Sequence, residues 1–279
     1  MKIIYLITKT EVGGAQVHLA YLLKEGKSRG FDMVVISRGN GWLKDKTESL
    51  GIRFIENPFF ANSWNPVRHL LSVLFLRKII KKEKPDIVHA HSGAAGFIGR
   101  IASFCLAKKV FTAHGWSFTK GTPLFRRVIA ILAENIITPF TDKIITVSRN
   151  DYNLAKKKLI FSKNKLEVVW NGIDIPENVI YFLPKINEKI KILFIGRLVP
   201  PKEPVKILQA ISQLRKEDWN RFEVSIIGTG KERVLIEDFL NKNGGGIEVK
   251  MLGDVPNERV GELYRSSHIF ALPTRWEGF

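Results

Sequence analysis

The chain has little of several features that define whole classes of protein. Its 279 residues include one cysteine, Cys105, so no disulfide can form within the chain and a secreted disulfide scaffold is excluded. No apolar run approaches the ~20 residues that a membrane span requires, and the run Ile3–Ile7 is too short for the core of a signal peptide. No Asp-x-Asp pair occurs, which argues against paired carboxylates that hold a metal on a diphosphate. These absences predict a cytoplasmic protein.

Negative charge is scarce in only one part of the chain. The formal net charge is +17, from 44 Lys and Arg against 27 Asp and Glu. Residues 1–170 hold 28 basic and 12 acidic residues, whereas residues 171–279 hold 16 and 15. A basic half indicates an anionic partner, which is a nucleic acid, a phosphorylated substrate or a membrane surface.

Two basic segments account for much of this excess, residues 77–82 and residues 156–165. Each is either a solvated helix face or a surface attracted to anionic lipid headgroups. Nucleic acid is disfavoured because aromatic stacking platforms are not interleaved with the basic residues and no recognisable nucleic-acid motif occurs. We therefore predict an anionic membrane surface as partner and no nucleic acid.

Short apolar, β-branched runs alternate with longer helical patterns, as expected for parallel sheets covered by helices. The pattern predicts about seven strands in a first domain, residues 1–170, and four in a second, residues 189–279. Glycine and proline interrupt it over residues 171–188, which we interpret as a linker. Because the chain stops just after a strand, we expect the second domain to be the interrupted part of a longer chain.

Glycine, histidine and charged residues follow the predicted strands at their carboxyl ends, where open parallel sheets bind ligands. In the first domain these residues are Gly13, Gly14, His91, Ser92, His114 and Asn171. In the second domain they are Arg197, Lys202, Gly228 and Gly230. The pattern predicts a cleft between two facing domains.

Each of these features also has a purely structural interpretation. Gly13-Gly14 is either a site where an anion approaches helix amides or a tight turn. Arg197 and Lys202, near a helix start, suit a diphosphate, although ordinary solvated charge is the more common explanation of two isolated basic residues. His89 and His91 share one strand face, yet no third ligand is evident, so we predict no metal.

Taken in order, the motifs resemble the family 4 retaining glycosyltransferases over the whole chain. The matching segments are Thr8–Gln16, Pro85–His91, Phe111–Gly115, Ile145–Ser148, Asn171–Asp174, Gly196–Leu198 with Lys202, Gly228–Gly230 and Pro273–Phe279. The stretch His114–Phe118 resembles the subgroup that builds bacterial capsule, exopolysaccharide or O-antigen.

This resemblance implies a GT-B fold, two Rossmann-like domains with the donor nucleotide-sugar on the C-terminal one and the acceptor on the N-terminal one. Arg197 and Lys202 would grip the donor diphosphate, His114 would face the donor sugar, and Glu277 would match the first acid of a Glu-x7-Glu motif. Donor-binding residues would be Gly13, Gly14, Gly196, Gly228, Gly230, Gly278 and Phe279. His91, Ser92 and Asn171 would line the acceptor side, and no metal or other cofactor would be needed.

The function that follows is sugar transfer to a lipid-linked glycan acceptor, on the cytoplasmic face of the membrane. Two alternatives remain open at this point. One is a non-hydrolysing sugar-nucleotide epimerase, which shares the architecture and needs no acceptor. The other is a non-catalytic fragment that binds lipid or nucleic acid.

Overall fold

The structure is a computed structural model, and it describes residues 1–61, 65–173, 183–185, 188–243 and 246–275. The chain divides into two compact units after residue 174. The expected linker, residues 171–188, lies largely outside the described residues. The domain bounds 1–170 and 189–279 therefore stay predictions.

The first unit is built on a seven-stranded, fully parallel sheet with the strand order β3-β2-β1-β4-β5-β6-β7. The strands are β1 Lys2–Leu6, β2 Asp32–Ser37, β3 Arg53–Glu56, β4 Ile87–Ala90, β5 Lys108–Ala113, β6 Lys143–Thr146 and β7 Leu166–Val168. The helices are α1 Gly14–Ser28, α2 Trp42–Ser49, α3 Pro66–Glu83, α4 Gly93–Ala102, α5 Leu124–Ile137 and α6 Arg149–Lys158.

Both faces of this sheet are buried, which explains its uninterrupted apolar strands. Ile4 and Leu6 join one core cluster, whereas Ile3, Tyr5 and Ile7 join the cluster on the opposite face. This alternation is the period of two that a β-strand imposes on its side chains. A strand covered by helices on both sides must therefore be apolar at every position.

Local signals fix several helix ends. The side chain of Asn65 accepts a hydrogen bond from the Arg68 amide and so caps the N-terminus of α3. Pro66 occupies the first turn, where its fixed φ already suits a helix. Ser148 caps α6 by accepting from the Asp151 amide at 3.1 Å. These caps satisfy amides that the first turn of a helix leaves without intrahelical acceptors.

Helix α4 packs very closely on the sheet and carries a buried ion pair. A Cβ at Gly99 would lie 2.3 Å from Leu6 Cδ1, so only glycine permits this approach. Next to it Arg100, 2% exposed, forms a salt bridge to Glu134 of α5, in which Nη2 donates to Oε1 at 2.8 Å and to Oε2 at 3.0 Å. Its guanidinium also lies 4.6 Å from the Phe111 ring centroid. The pair ties α4, α5 and the sheet together.

The second unit has a four-stranded parallel sheet with the order β10-β9-β8-β11. Its strands are β8 Ile190–Ile195, β9 Phe222–Ile227, β10 Glu248–Gly253 and β11 Ile269–Phe270, and its helices are α7 Val205–Ile211, α8 Arg233–Asn243 and α9 Asn257–Arg265. The core collects Phe194, Leu208, Trp219 and Ile226. The predicted four strands are confirmed.

Two helical segments differ from the sequence pattern. Helix α2 was not predicted, because its eight residues are mostly polar and show little helical periodicity. The pattern predicts a helix over Glu203–Arg215, whereas α7 ends at Ile211 and a separate 3-10 turn follows over residues 216–221. Among the described residues, no helix is both long and apolar enough to cross a membrane.

Candidate functional site

The order of strands in the first unit places a ligand site between β1 and β4, where the direction of the crossovers reverses. Gly13 and Gly14 follow β1 and begin α1, while His91 and Ser92 follow β4. Strand β5, next to β4, leads to His114. The structure therefore brings these predicted residues to one edge of the sheet.

The two glycines after β1 differ in how far packing explains them. A Cβ at Gly13 would lie 2.8 Å from Oε1 of the flexible Gln16 side chain. A Cβ at Gly14 would meet no atom within 4 Å, so packing does not require glycine there. Open space before the amides of a helix's first turn is the geometry in which an anion can approach.

Four histidines gather at this edge, and one of them was not predicted. His18 of α1 lies with its ring centroid 5.0 Å from that of His114 and 5.7 Å from that of His91. His91 Nδ1 and His114 Nε2 are hydrogen-bonded at 3.2 Å, and His89 Nε2 is 2.8 Å from Thr112 Oγ1. The available signal for His18 was its place one turn after Gly14 on the helix that begins at this edge.

Burial makes the cluster uncharged. Burial, with a smaller contribution from His18, lowers the pKa of His114 to about 4, and burial together with His18 and His114 lowers that of His89 to about 3. Burial also holds the pKa of His91 well below its usual range and lowers that of His18. At neutral pH the edge therefore presents neutral imidazoles, which donate and accept hydrogen bonds without attracting anions.

The histidines are also the described residues best suited to a metal. One ring nitrogen from each of His18, His91 and His114 lies within 4.8 Å of the others, whereas zinc with bonds of ~2.05 Å holds ligand atoms about 3.4 Å apart. This trio corrects the expectation that the His89–His91 pair lacks further ligands. Since His91 and His114 already bond to each other, an ion would compete with that bond.

The predicted acceptor-side residues Ser92 and Asn171 differ in their hydrogen bonding. Ser92 Oγ accepts a hydrogen bond from the Thr8 amide at 3.2 Å and so links the ends of β1 and β4. Asn171 Oδ1 is buried and has no hydrogen-bond partner among the described residues. A role for either in binding the acceptor stays a prediction.

The loop that carries His114 is anchored by buried aromatic side chains. Trp116 Nε1 donates to the Asp151 carbonyl at 3.0 Å, and the Trp116 ring stacks on Phe118 with centroids 4.9 Å apart. Both rings belong to the main core cluster. Gly115 adopts a φ of 129°, which turns the chain from the strand into this anchor. His114 is thus held by strand β5 on one side and by buried rings on the other.

In the second unit, crossovers reverse between β8 and β11, and the predicted cations follow β8. Arg197 is exposed in the loop between β8 and α7. Gly228 and Gly230 lie against this loop with φ of 121° and 147°, and a Cβ on them would lie 2.1 Å from the Gly196 carbonyl oxygen and 2.2 Å from that of Leu198. These glycines are therefore required by the close approach of two loops, apart from any ligand.

The segment after β11 pairs with the same loop. Lys202 and Thr274 form an antiparallel bridge, and the Arg275 amide donates to the Pro201 carbonyl. Arg275 also bonds Glu203 Oε1 from Nε at 2.9 Å. Residues 273–275 thereby fix the backbone around Lys202.

Three predicted site residues, Glu277, Gly278 and Phe279, lie outside the described residues. Their roles at the donor sugar stay predictions.

Comparison with known proteins agrees with this architecture. The model for Glycosyltransferase Family 4 matches residues 12–177, and that for Glycosyl transferases group 1 matches residues 179–279. A crystal structure of Anabaena HepE in complex with UDP and glucose superposes with a TM-score of 0.75 at 18% identity, covering 98% of this chain and 74% of that one. This similarity confirms the expected GT-B fold.

Two curated relatives come from Escherichia coli. A UDP-Gal:alpha-D-GlcNAc-diphosphoundecaprenol alpha-1,3-galactosyltransferase is 28% identical, over 89% of this chain and 67% of the relative. The O-antigen biosynthesis glycosyltransferase WbnH is 26% identical, over 98% of this chain and 75% of the relative. The chain thus spans two thirds to three quarters of the length of these relatives. Because the first family model alone covers more than half of the sequence, this protein belongs to glycosyltransferase family 4.

Proposed function

We propose that this chain transfers a hexose from a UDP-sugar to a lipid-linked diphosphate glycan in the synthesis of a bacterial surface polysaccharide. The observation that carries the proposal is that both sheets place the family's motif residues at their reversal points, cations in one unit and imidazoles in the other. The similar galactosyltransferase uses UDP-Gal and a diphosphoundecaprenol acceptor, and the similar HepE structure holds UDP and glucose.

The chemistry follows from where charge develops. Breaking the sugar–phosphate bond leaves negative charge on the departing diphosphate and positive charge on the sugar ring. Arg197 and Lys202 stabilise the leaving group, because fixed cations aimed at a developing charge lower the barrier. Retention of configuration, a trait of the family, follows if the acceptor attacks on the face that the diphosphate leaves and that phosphate takes the acceptor's proton.

Loss of Arg197 tests this assignment directly. We expect Arg197→Ala to lower kcat/KM at least 100-fold, since one removed charge-stabilising donor costs about 2.7 kcal/mol or more in other enzymes. The measurement is radiolabelled sugar transfer by the full chain to a lipid-linked diphosphate acceptor.

The matched control is Arg215→Ala, which removes another exposed arginine of the second unit that pairs with Glu217 and Asp218. Transfer by the Arg197 variant at the control's rate would refute the assignment. Conversion of the UDP-sugar without any acceptor would instead identify the epimerase.

We also propose that catalysis is independent of metal. The sequence has no Asp-x-Asp pair, and the two cations supply the charge that a metal would otherwise supply. Transfer is therefore expected to continue unchanged after dialysis against EDTA. Loss of activity that returns with Mg²⁺ or Mn²⁺ would contradict this.

We further propose that the first unit rests on the cytoplasmic face of an anionic membrane through α3 and α5. Both of these helices pack against α4. On α3, an exposed stripe changes from apolar to basic along the helix, in the order Val67, Leu70, Leu71, Leu74, Lys78, Lys81 and Lys82. Basic residues near an anionic surface contribute about 1 kcal/mol each.

Helix α5 adds an apolar stripe with a spacing of four residues. Leu124, Val128, Leu132 and Ile136 are 46–72% exposed, and Phe125 beside them is 74% exposed. Residues four apart lie on one helix face, so these side chains form a continuous surface. Exposed apolar and basic side chains are the combination with which amphipathic helices enter the headgroup region.

Sedimentation with vesicles tests whether the membrane is bound by this surface or by the overall positive charge of the protein. We expect replacement of Lys78, Lys81 and Lys82 by glutamine to lower the affinity for phosphatidylglycerol-containing vesicles at least 10-fold, because each lysine contributes about 1 kcal/mol. The control replaces three exposed lysines of the second unit, Lys216, Lys231 and Lys242, with the same change in net charge. Equal losses in the two triple variants would refute a specific surface.

A further inference from the structure

The hydrogen bond between His91 and His114 joins the ends of two neighbouring strands. Strands β4 and β5 pair in parallel, and beyond them His91 Nδ1 lies 3.2 Å from His114 Nε2. A hydrogen bond between two ring nitrogens needs one proton, so one histidine donates and the other accepts. Which of them donates decides what the other ring nitrogen of His114 can do.

Both rings are neutral at physiological pH. Burial lowers the pKa of His91 well below its usual range and that of His114 to about 4. Each ring then carries a single proton, on either Nδ1 or Nε2. The pair therefore has two arrangements.

The surroundings of His91 separate the two arrangements. His91 is 1% exposed, and its Nε2 is buried without a hydrogen-bond partner among the described residues. If His114 donated, His91 would carry its proton on Nε2 and bury an N–H group with no acceptor, which folded proteins rarely tolerate. If His91 donates from Nδ1, its Nε2 has only a lone pair to satisfy. The geometry therefore favours His91 as the donor.

We infer that His91 is a positioning residue that holds His114 in the tautomer protonated on Nδ1. His114 then presents an N–H donor to the site, and its ligand is an oxygen acceptor such as a sugar hydroxyl or ring oxygen. This inference rests on the proposed function, because that function makes a sugar the partner of His114. His91 itself need not touch the substrate.

Two nearly isosteric substitutions test the donor role. In His91→Asn the amide nitrogen stands as many bonds from Cβ as Nδ1 does, and it can donate to His114 Nε2. In His91→Asp the same position holds an oxygen that, when ionised, can only accept. The ring nitrogens of His114 are observed by long-range ¹H–¹⁵N correlation spectra of the full chain with ¹⁵N-labelled histidine, assigned with His114→Gln.

We expect the native protein and His91→Asn to show protonated Nδ1 and bare Nε2 on His114, and His91→Asp to show a protonated Nε2. Sugar transfer by His91→Asn should exceed transfer by His91→Asp at least about 20-fold in kcat/KM, because only the Asn variant keeps the donor to His114. The control is His89→Asn, which alters the neighbouring histidine that contacts Thr112 and should leave the His114 signals in place.

A native His114 protonated on Nε2 would overturn the inference, and this spectrum needs no variant to fold. Equal transfer by the Asn and Asp variants, with the tautomers as expected, would also overturn it. Failure of the proposed function gives a different result, in which His114→Gln transfers sugar normally or no transfer is seen at all.

Discussion

The two units use the same topological position for opposite chemistry. The reversal point of the first sheet carries a cluster of neutral imidazoles, although residues 1–170 carry most of the positive charge. At the reversal point of the second sheet Arg197 and Lys202 follow the strand, although residues 171–279 are nearly neutral overall. The net charge of a unit therefore says little about the charge of the side chains at its candidate site.

The difference supports the complementary ligands that we propose for the two units. Neutral imidazoles exchange hydrogen bonds with hydroxyl groups, and exposed cations attract phosphate. The excess charge of the first unit lies instead on helix surfaces such as the end of α3. A membrane surface and a sugar site can thus occupy one unit without competing for the same residues.

The largest effect is expected from loss of the buried Arg100–Glu134 ion pair, which should destabilise the first unit alone. We expect Arg100→Leu to lower the free energy of unfolding by about 3–5 kcal/mol, because it leaves the Glu134 carboxylate buried without its partner. Hydrogen exchange followed by mass spectrometry should show lost protection in residues 1–173 and native protection in residues 188–243.

The double variant Arg100→Leu with Glu134→Leu tests the physical reason. Removing both charges should recover most of the lost stability, since an apolar pair of similar volume is about as stable as a buried ion pair. Equal destabilisation by the single and double variants would mean that packing, not the unpaired charge, dominates.

The corresponding destabilising substitution in the second unit is at Gly228. We expect Gly228→Ala to cost about 3 kcal/mol or more, because its φ is 121° and the new Cβ would overlap the Gly196 carbonyl. Gly253→Ala is the control, with a φ of 66° and no atom within 4 Å of the Cβ, and should cost about 1–2 kcal/mol. Similar urea midpoints for the two variants would exclude the loop contact as the cause.

The smallest expected effect is a dependence of stability on pH, which comes from the histidine site and not from the cationic one. The folded pKa of His89, about 3, lies below its unfolded value, so the stability from its neutral form is complete above about pH 6.5 and lost as pH falls. Between pH 7 and pH 5 we expect a loss of at most about 2 kcal/mol from this residue. His89→Gln should remove that part of the slope in urea titrations. An unchanged slope would contradict the assignment.

The sequence predicts the strands of this fold well and the partners of its site less well. β-branched runs such as Ile3–Ile7 identify strands because both faces of the sheet are buried, and glycine or histidine after a strand identifies the ligand edge. His18 was missed because its approach to His91 and His114 depends on how α1 packs on the sheet. Arg100–Glu134 was missed for the same reason, since no local pattern reports a contact between residues 34 positions apart.

The pairing of residues 273–275 with the Lys202 loop has a consequence for how the chain matures during synthesis. Arg275 and Glu203 stand 72 positions apart, so β8 and its loop emerge from the ribosome long before their partner does. Contacts of such large sequence separation form late because a long chain must first be closed. The backbone around Lys202 is therefore expected to take its final course only after residue 275 has been added, which makes this loop one of the last parts of the second unit to fold.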